Sequence, residues 1–161
     1  MSSAEVTTDT LRVLDIVPGT SVDGPGLRTS IYFAGCHHAC PGSHNPQSWD
    51  MHGGTPMTVD SIVEIVRDND FNVTFSGGDP MYQPLDTLAE LARRIHSLGY
   101  DIWCYTGFTI EQLRADPRYD IVLQHIDTLV DGPFVLEQRD TGLLFRGSAN
   151  QRIIPKTFFK Q

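Results

Sequence analysis

Residues 36–45 are the stretch that most constrains this chain, and they read CHHACPGSHN. They follow an apolar run, residues 31–34, which ends at Gly35 and has the character of a β-strand. A strand that ends in thiols and small residues places soft ligands at the edge of a sheet, where open α/β folds bind their ligands. Thiolates on a short loop favour an iron–sulfur cluster or zinc. Because Cys36 and Cys40 are too few for a complete site, other groups must supply the remaining ligands.

Length and composition indicate one globular domain in a reducing compartment. The chain has 161 residues, of which 40% are hydrophobic and 20% are charged, and this is enough for a substantial core. Residues 1–10 are expected to form a disordered lead without the apolar core of a signal peptide, so residues 11–161 form the predicted domain. Three cysteines, an odd number, argue against a disulfide framework and favour the cytoplasm.

Charge and hydropathy argue against two classes of partner. The formal net charge is -8, and the chain has no basic stripe of the kind that binds nucleic acid. No apolar run approaches the roughly 20 residues that a membrane-spanning helix needs. We therefore expect neither a nucleic-acid partner nor a membrane partner.

Strands alternate with helices along most of the chain. Strands are predicted at residues 11–17 (as a short edge strand), 28–33, 72–76, 101–105 and 126–130. Helices are predicted from the N-cap Thr58 to about residue 68, over residues 85–98, and after a capping box of Thr109 and Gln112. The alternation implies βαβ units and a mainly parallel sheet. A full eightfold barrel needs about 250 residues, so the predicted fold is an α/β partial parallel barrel, open at the side.

Six motifs, in this order, carry a resemblance to a known family. They are DGPGLR at 23–28, the cysteine loop with Cys36, Cys40, Ser43, His44 and Trp49, SGGDP at 76–80, DIW with YTG at 101–107, VDG at 130–132, and RGS with NQ at 146–151. The chain resembles the anaerobic ribonucleotide reductase activating proteins, which are radical S-adenosylmethionine (SAM) enzymes. The resemblance covers nearly the whole chain and implies a partial barrel of the radical SAM type.

The resemblance implies an oxidoreductase that installs a glycyl radical on a partner protein. In the family, three cysteines in C-x3-C-x2-C spacing hold a [4Fe–4S] cluster, and SAM chelates the iron that they leave open. An electron from the reduced cluster then cleaves SAM to methionine and a 5′-deoxyadenosyl radical, which abstracts hydrogen from a glycine of the anaerobic reductase. By the same analogy, a flavodoxin-type protein donates the electron. In this chain the implied metal ligands are Cys36 and Cys40, with Ser43 at the third position.

The resemblance also implies where SAM binds. The implied cofactor-binding residues are Gly42, Ser43, His44, Gly77, Gly78, Asp79 and Thr106. The Gly77-Gly78 turn lets backbone groups approach the methionine moiety with no side chain in the way, and Asp79 adds an acceptor. Thr106, at a strand end, is placed to hydrogen-bond the cofactor. No side chain is assigned as a catalytic residue, since the cofactor supplies the radical chemistry.

Ser43 departs from the family pattern, because it stands where the third cluster cysteine is expected. A hydroxyl is a hard, poor ligand for iron in a sulfide cluster, so we expect weak, oxygen-sensitive or incomplete cluster binding. The residues around Ser43 look as they would around a cysteine, which favours a Cys→Ser change in an otherwise intact enzyme. Alternatively the serine is native, and the serine itself, a histidine or Cys104 completes the site. We expect Cys104 to be a buried structural cysteine.

Other functions remain open at this stage. A zinc-binding interaction module would use Cys36, Cys40, His44 and one further ligand, although the spacing is compact and such a module does not need the Gly-Gly-Asp-Pro turn. A degenerate relative would bind the reductase without catalysis. Trp103 is expected to be a packing residue, and Arg146 either an ion-pair partner or part of a docking surface.

Overall fold

The computed structural model describes residues 9–35, 53–140 and 142–159. The strands are β1 (Thr10–Thr20), β2 (Arg28–Phe33), β3 (Thr55–Thr58), β4 (Asn72–Gly77), β5 (Ile102–Tyr105), β6 (Thr128–Asp131) and β7 (Arg152–Pro155). The helices are α1 (Val59–Asn69), α2 (Leu85–Ser97), α3 (Ile110–Arg114) and α4 (Asp120–Leu123). Short 3-10 turns lie at Pro80–Tyr82, Pro117–Tyr119, Leu136–Gln138 and Lys156–Phe158.

The seven described strands form one open sheet in the order β3-β1-β2-β4-β5-β6-β7. The four central strands, β2, β4, β5 and β6, pair in parallel. β1, β3 and β7 pair antiparallel at the two sides. The predicted α/β class with a parallel central sheet is therefore confirmed, and the carboxyl ends of the four parallel strands meet at one edge.

The helix ends follow from local sequence. Thr58 caps α1, and its hydroxyl accepts a hydrogen bond from the Ser61 amide at 3.2 Å. Thr109 and Gln112 form the predicted capping box at the start of α3, with hydrogen bonds of 3.2 and 2.8 Å. α2 ends one residue before the expected position, and Gly99 follows it with φ +93°, a conformation that glycine adopts at no cost.

The two faces of the sheet differ in chemistry. All four helices add buried side chains to one hydrophobic core, which also contains Ile31 of β2, Phe75 of β4 and Cys104 of β5. The other face carries Ser30, Tyr32, Thr74, Ser76, Trp103 and Tyr105, by the strand register. We call this second surface the polar face. Loops contact it, as with Asp23 on Tyr32 and Phe145 on Trp103, and so does the Arg28 side chain of β2, which donates to Thr74 at 2.9 Å.

The strands differ from the sequence prediction in three places. β1 is not an edge strand, because β3 pairs along its outer side. β1 also continues past Pro18, since the pairing register is irregular between Val17 and Thr20 and proline is tolerated at such a position in a sheet. β3 and β7 were not predicted, since neither short segment shows the alternation of a strand and each forms by pairing with a distant partner. β1 also includes Thr10, which was expected in the disordered lead.

No helix among the described residues is long and apolar enough to cross a membrane.

Candidate functional site

The turn after β4 lies at the carboxyl edge of the parallel strands. Gly77 has φ +104°, and a Cβ atom at this position would lie 2.3 Å from the backbone nitrogen of Phe33 and 2.4 Å from its carbonyl oxygen. No real side chain tolerates such distances, so the approach of β4 to β2 requires glycine here. The turn therefore presents backbone rather than a side chain at this edge.

Asp79 holds this turn against the end of β5. Its side chain is fully buried, and its Oδ1 accepts a hydrogen bond from the Met81 amide at 3.0 Å. Its Oδ2 accepts hydrogen bonds from the Thr106 hydroxyl at 3.1 Å and the Gly107 amide at 2.9 Å. Because both carboxylate oxygens accept hydrogen bonds from the protein, Asp79 acts as a positioning residue between the two strand ends.

The same turn is hydrogen-bonded to the residue before residues 36–52, which we call the cysteine segment. The Gly78 amide donates to the carbonyl of Phe33 at 2.8 Å, and the Asp79 amide donates to the carbonyl of Gly35 at 2.8 Å. Gly35 is the residue immediately before Cys36. The Gly77-Gly78-Asp79 turn and the entry to the cysteine segment therefore form one hydrogen-bonded unit.

Arg12 and Gln83 join both ends of the cysteine segment, and the sequence reasoning missed them. The Gln83 amide group donates to the carbonyl of Ala34 at 2.6 Å and accepts from the backbone nitrogen of Arg12 at 2.9 Å. The Arg12 guanidinium donates to the carbonyls of Gly53 and Gly54 at 2.8 and 3.2 Å. The chain thus enters and leaves residues 36–52 beside the same pair. No local pattern reveals this pair, because its members lie 71 positions apart.

A buried aspartate also organises the end of β6. Asp131 Oδ2 accepts a hydrogen bond from the Ile110 amide at 2.8 Å, and the Arg152 guanidinium contacts both carboxylate oxygens at 3.0 and 2.6 Å. Arg152 also pairs with Glu111, and this hydrogen bonding lowers the pKa of Glu111 to about 2. Asp131 belongs to the VDG motif, so the sequence signalled its position, but β7 brings Arg152 to it only by tertiary pairing.

The structure brings together four of the residues that the sequence analysis assigned to the cofactor. Gly77, Gly78, Asp79 and Thr106 lie at the adjoining ends of β4 and β5. Cys36, Cys40, Gly42, Ser43 and His44 lie outside the described residues. Among the described residues no group of three histidine, cysteine or acidic side chains is arranged to hold a metal ion.

Two expectations about neighbouring side chains are confirmed. Cys104 is fully buried in the core, and burial raises the pKa of its thiol well above the ordinary value. Trp103 is only 8% exposed and packs against Phe145, with ring centroids 5.4 Å apart. Cys104 is thus a structural thiol and Trp103 a packing residue.

The residues of this site fit the two expected groups, SAM and an iron–sulfur cluster, to different extents. The amides of Gly78 and Asp79 already donate within the chain, so what this turn can offer a polar ligand, such as the ammonium group at the amino-acid end of SAM, is backbone carbonyl oxygen. The thiols of Cys36 and Cys40 fit a cluster, whereas the hydroxyl of Ser43 does not. The cysteine segment is therefore one thiolate short of the three-cysteine set that a [4Fe–4S] cluster of this type takes.

Comparison with known proteins agrees with an iron–sulfur site in this chain. Residues 22–154 match the family model of a 4Fe-4S single cluster domain, which defines the class of the chain. The anaerobic ribonucleoside-triphosphate reductase-activating protein of Salmonella typhi is 37% identical over 150 residues, 88% of this chain and 96% of its own length. The protein of the same name from Escherichia coli (strain K12) is 37% identical over 143 residues, 83% of this chain and 92% of its own.

A viral relative shows the same relationship. The anaerobic ribonucleoside-triphosphate reductase-activating protein of Enterobacteria phage T4 is 30% identical over 149 residues, 88% of this chain and 92% of its own length. The chain belongs to the family of anaerobic ribonucleoside-triphosphate reductase-activating proteins.

Proposed function

We propose that this chain is a radical SAM activase that generates a glycyl radical on an anaerobic ribonucleotide reductase. The observation that carries the proposal is the unit formed by the Gly77-Gly78-Asp79 turn, Thr106 and Gly35, the residue before Cys36, in a chain of the activating-protein family. The open sheet is then the partial barrel of the radical SAM type. Its carboxyl edge holds the cofactors, as parallel α/β folds do.

The described residues have distinct parts in this proposal. Gly77 and Gly78 would contact the methionine moiety of SAM through backbone atoms. Asp79 holds that turn in place through its hydrogen bonds to Met81, Thr106 and Gly107. The Thr106 hydroxyl donates a hydrogen bond to Asp79 Oδ2 at 3.1 Å and accepts one from the Phe108 amide at 3.1 Å. Thr106 therefore fixes the end of β5, where SAM is proposed to bind. A contact between Thr106 and SAM is part of the proposal, and it depends on this position.

The cysteine segment supplies the protein ligands of the cluster in this proposal. Cys36 and Cys40 would hold the iron, Ser43 would stand at the third ligand position, and Gly42 and His44 would contact SAM. The cluster, when bound, supplies the electron for reductive cleavage of SAM. A reduced flavodoxin-type protein is the proposed donor, and the reducing cytoplasm is the proposed location, because thiolates and clusters persist there.

The direct test measures the radical on the partner. Anaerobically reconstituted protein, in the unaltered form and as Ser43→Cys, is mixed with SAM, a chemical reductant and the anaerobic reductase of the same organism. We expect an electron paramagnetic resonance signal of a glycyl radical on the reductase and release of 5′-deoxyadenosine, both stronger with Ser43→Cys. Absence of the radical with a fully loaded Ser43→Cys protein would contradict the proposed function.

A second candidate function has one observation in its favour, namely Ser43. If the serine is native, the chain binds the reductase without catalysis, since a hydroxyl does not replace a thiolate at a cluster. The reductase then binds to the unaltered chain with ordinary affinity, and neither radical nor 5′-deoxyadenosine forms at any iron loading. Measurable cleavage of SAM by the unaltered chain rules this candidate out.

A further inference from the structure

Arg12 of β1 contacts the chain on both sides of the cysteine segment. Its backbone carbonyl accepts a hydrogen bond from the Ala34 amide at 2.9 Å, and Ala34 lies two positions before Cys36. Its guanidinium donates from Nε to the carbonyl of Gly53 at 2.8 Å and from Nη2 to the carbonyl of Gly54 at 3.2 Å. One residue therefore fixes the two ends of the cysteine segment relative to each other.

The geometry of these side-chain contacts requires a guanidinium group. The two carbonyls belong to successive residues, and two nitrogens of one planar group donate to them. A lysine ammonium is a point charge on a flexible stem and lacks this fork. Gly54 has φ +74°, and a Cβ atom there would lie 2.8 Å from the carbonyl oxygen of Val13. The chain therefore leaves the cysteine segment in close contact with β1, beside the guanidinium of Arg12.

Gln83 connects Arg12 with the Gly77-Gly78-Asp79 turn. Gln83 is only 5% exposed, and its side chain accepts from the Arg12 amide at 2.9 Å and donates to the carbonyl of Ala34 at 2.6 Å. Its backbone nitrogen donates to the carbonyl of Pro80 at 3.0 Å, at the end of the 3-10 turn that follows Asp79. The position of Arg12 is therefore linked to the turn where SAM is proposed to bind.

Arg12 also brings a permanent positive charge to this edge of the sheet. A guanidinium stays protonated at physiological pH, whereas the chain as a whole has a formal net charge of -8. Thiolate ligands give an iron–sulfur cluster a net negative charge, which grows on reduction, so a nearby cation favours the reduced form. Because Arg12 is half-buried, salt and water screen its charge less than that of an exposed residue.

We propose that Arg12 is a positioning residue for the cluster, an inference that rests on the proposed function. Its fork and its backbone hold the two ends of the cysteine segment together, so less conformational entropy is lost when the thiolates take up metal. Its charge raises the reduction potential at which the bound cluster accepts an electron. The two roles are separable by substitution, because lysine keeps the charge and loses the fork.

The experiment places three substitutions in the Ser43→Cys form of the full chain. Arg12→Lys removes the fork and keeps the charge, whereas Arg12→Gln removes both. Arg67→Gln is the matched control, since it removes the same charge from an exposed residue in the last turn of α1, which precedes β4 at the opposite edge of the sheet. Proteolysis within residues 36–52 is measured on the iron-free chain. Iron loss to a chelator and the midpoint potential are measured on reconstituted protein, the potential by electron paramagnetic resonance.

We expect both Arg12 variants to be cleaved and to lose iron at least threefold faster than the Ser43→Cys parent, with Arg67→Gln equal to the parent. The midpoint potential becomes more negative in Arg12→Gln and stays near that of the parent in Arg12→Lys. Cleavage and iron loss in Arg12→Gln at the rates of Arg67→Gln would overturn the positioning role. Equal potentials in these two variants would overturn the role of the charge.

The outcomes also separate this inference from the proposed function. If the Ser43→Cys parent takes up no iron, the proposed function and the role of the charge both fail, while cleavage of the iron-free chain still decides whether Arg12 positions the segment. If the parent binds iron and cleaves SAM but the Arg12 variants match the control, only the inference about Arg12 fails. Far-ultraviolet circular dichroism checks folding, and Arg12→Met, which keeps an aliphatic stem, replaces Arg12→Gln if that variant does not fold.

Discussion

The hydroxyl of Thr106 donates a hydrogen bond to the buried carboxylate of Asp79 at 3.1 Å, and this contact joins the ends of two neighbouring parallel strands. The same Oδ2 atom accepts from the Gly107 amide, while Oδ1 caps the 3-10 turn that follows β4. A single aspartate thus fixes two loops at the edge where the cysteine segment begins. The geometry of that edge depends on a carboxylate that accepts on both oxygens.

Replacing Asp79 by asparagine tests this dependence. The amide presents N–H groups where the carboxylate accepts, so at least one buried donor loses its partner, at a cost of about 1–3 kcal/mol in unfolding free energy. We expect Asp79→Asn to unfold at lower urea concentration and to bind SAM more weakly. Thr106→Ser, which keeps the hydroxyl, is the control. Unchanged stability and SAM affinity in Asp79→Asn would contradict the positioning role.

Gly77 offers a test of the close approach between β4 and β2. We expect Gly77→Ala to lose about 1–2 kcal/mol for the left-handed backbone, and about 1–3 kcal/mol more because its Cβ meets the Phe33 backbone. Gly99→Ala is the matched control, since Gly99 also has positive φ but nothing lies within 4 Å of its Cβ position. Urea unfolding measures both. Equal losses in the two variants would show that crowding at Phe33 is absent.

A Gln83 variant tests whether the hydrogen bonds of Gln83 to Ala34 and Arg12 stabilise the two ends of the cysteine segment. Gln83→Leu removes the donor to Ala34 and the acceptor for Arg12, so we expect a loss of about 1–3 kcal/mol and faster proteolysis within residues 36–52. Iron retention by the Ser43→Cys form should fall as well. Gln124→Leu serves as control, because Gln124 is exposed and its amide group donates to the carbonyl of Ile121 within the same helical turn. Iron retention and proteolysis equal to the control would refute the role.

The ionisation of Asp127 makes the unfolding free energy depend on pH. Burial raises the pKa of Asp127, but hydrogen bonds from His96, the Ile102 amide and Lys156 outweigh burial, and the net pKa is lowered. The folded chain therefore binds this proton more weakly than the unfolded chain, whose aspartates have a pKa of about 3.9. The stabilisation is present above that pH and is lost as the pH falls through the folded pKa.

The variant Asp127→Asn should flatten this dependence. We expect it to lower the unfolding free energy by about 1–2 kcal/mol at pH 7, with a smaller difference from the unaltered chain below pH ~3. Urea unfolding between pH 2 and 7 measures the difference, and Asp68→Asn, at an exposed position on α1, is the control. A difference that stays constant over this range would exclude a titrating Asp127.

Sequence alone predicted the parts of the fold that depend on local chemistry. Thr58 and the Thr109–Gln112 pair signalled helix starts because capping is a short-range interaction. β3 and β7 escaped prediction, since each becomes a strand only beside a distant partner. For the same reason the site was predicted only in outline: the SGGDP motif marked Asp79, but its burial between two loops, and the pairing of Gln83 with Arg12, arise from contacts between distant residues.

The most direct test of the account is the iron and sulfide content of the anaerobically reconstituted chain, compared with Ser43→Cys, with absorption spectra before and after SAM. We expect about four irons per chain in Ser43→Cys, a spectrum that responds to SAM, and 5′-deoxyadenosine on reduction, with far less of each in the unaltered chain. Equal iron and equal 5′-deoxyadenosine in the two forms, or bound zinc in place of iron in Ser43→Cys, would contradict it.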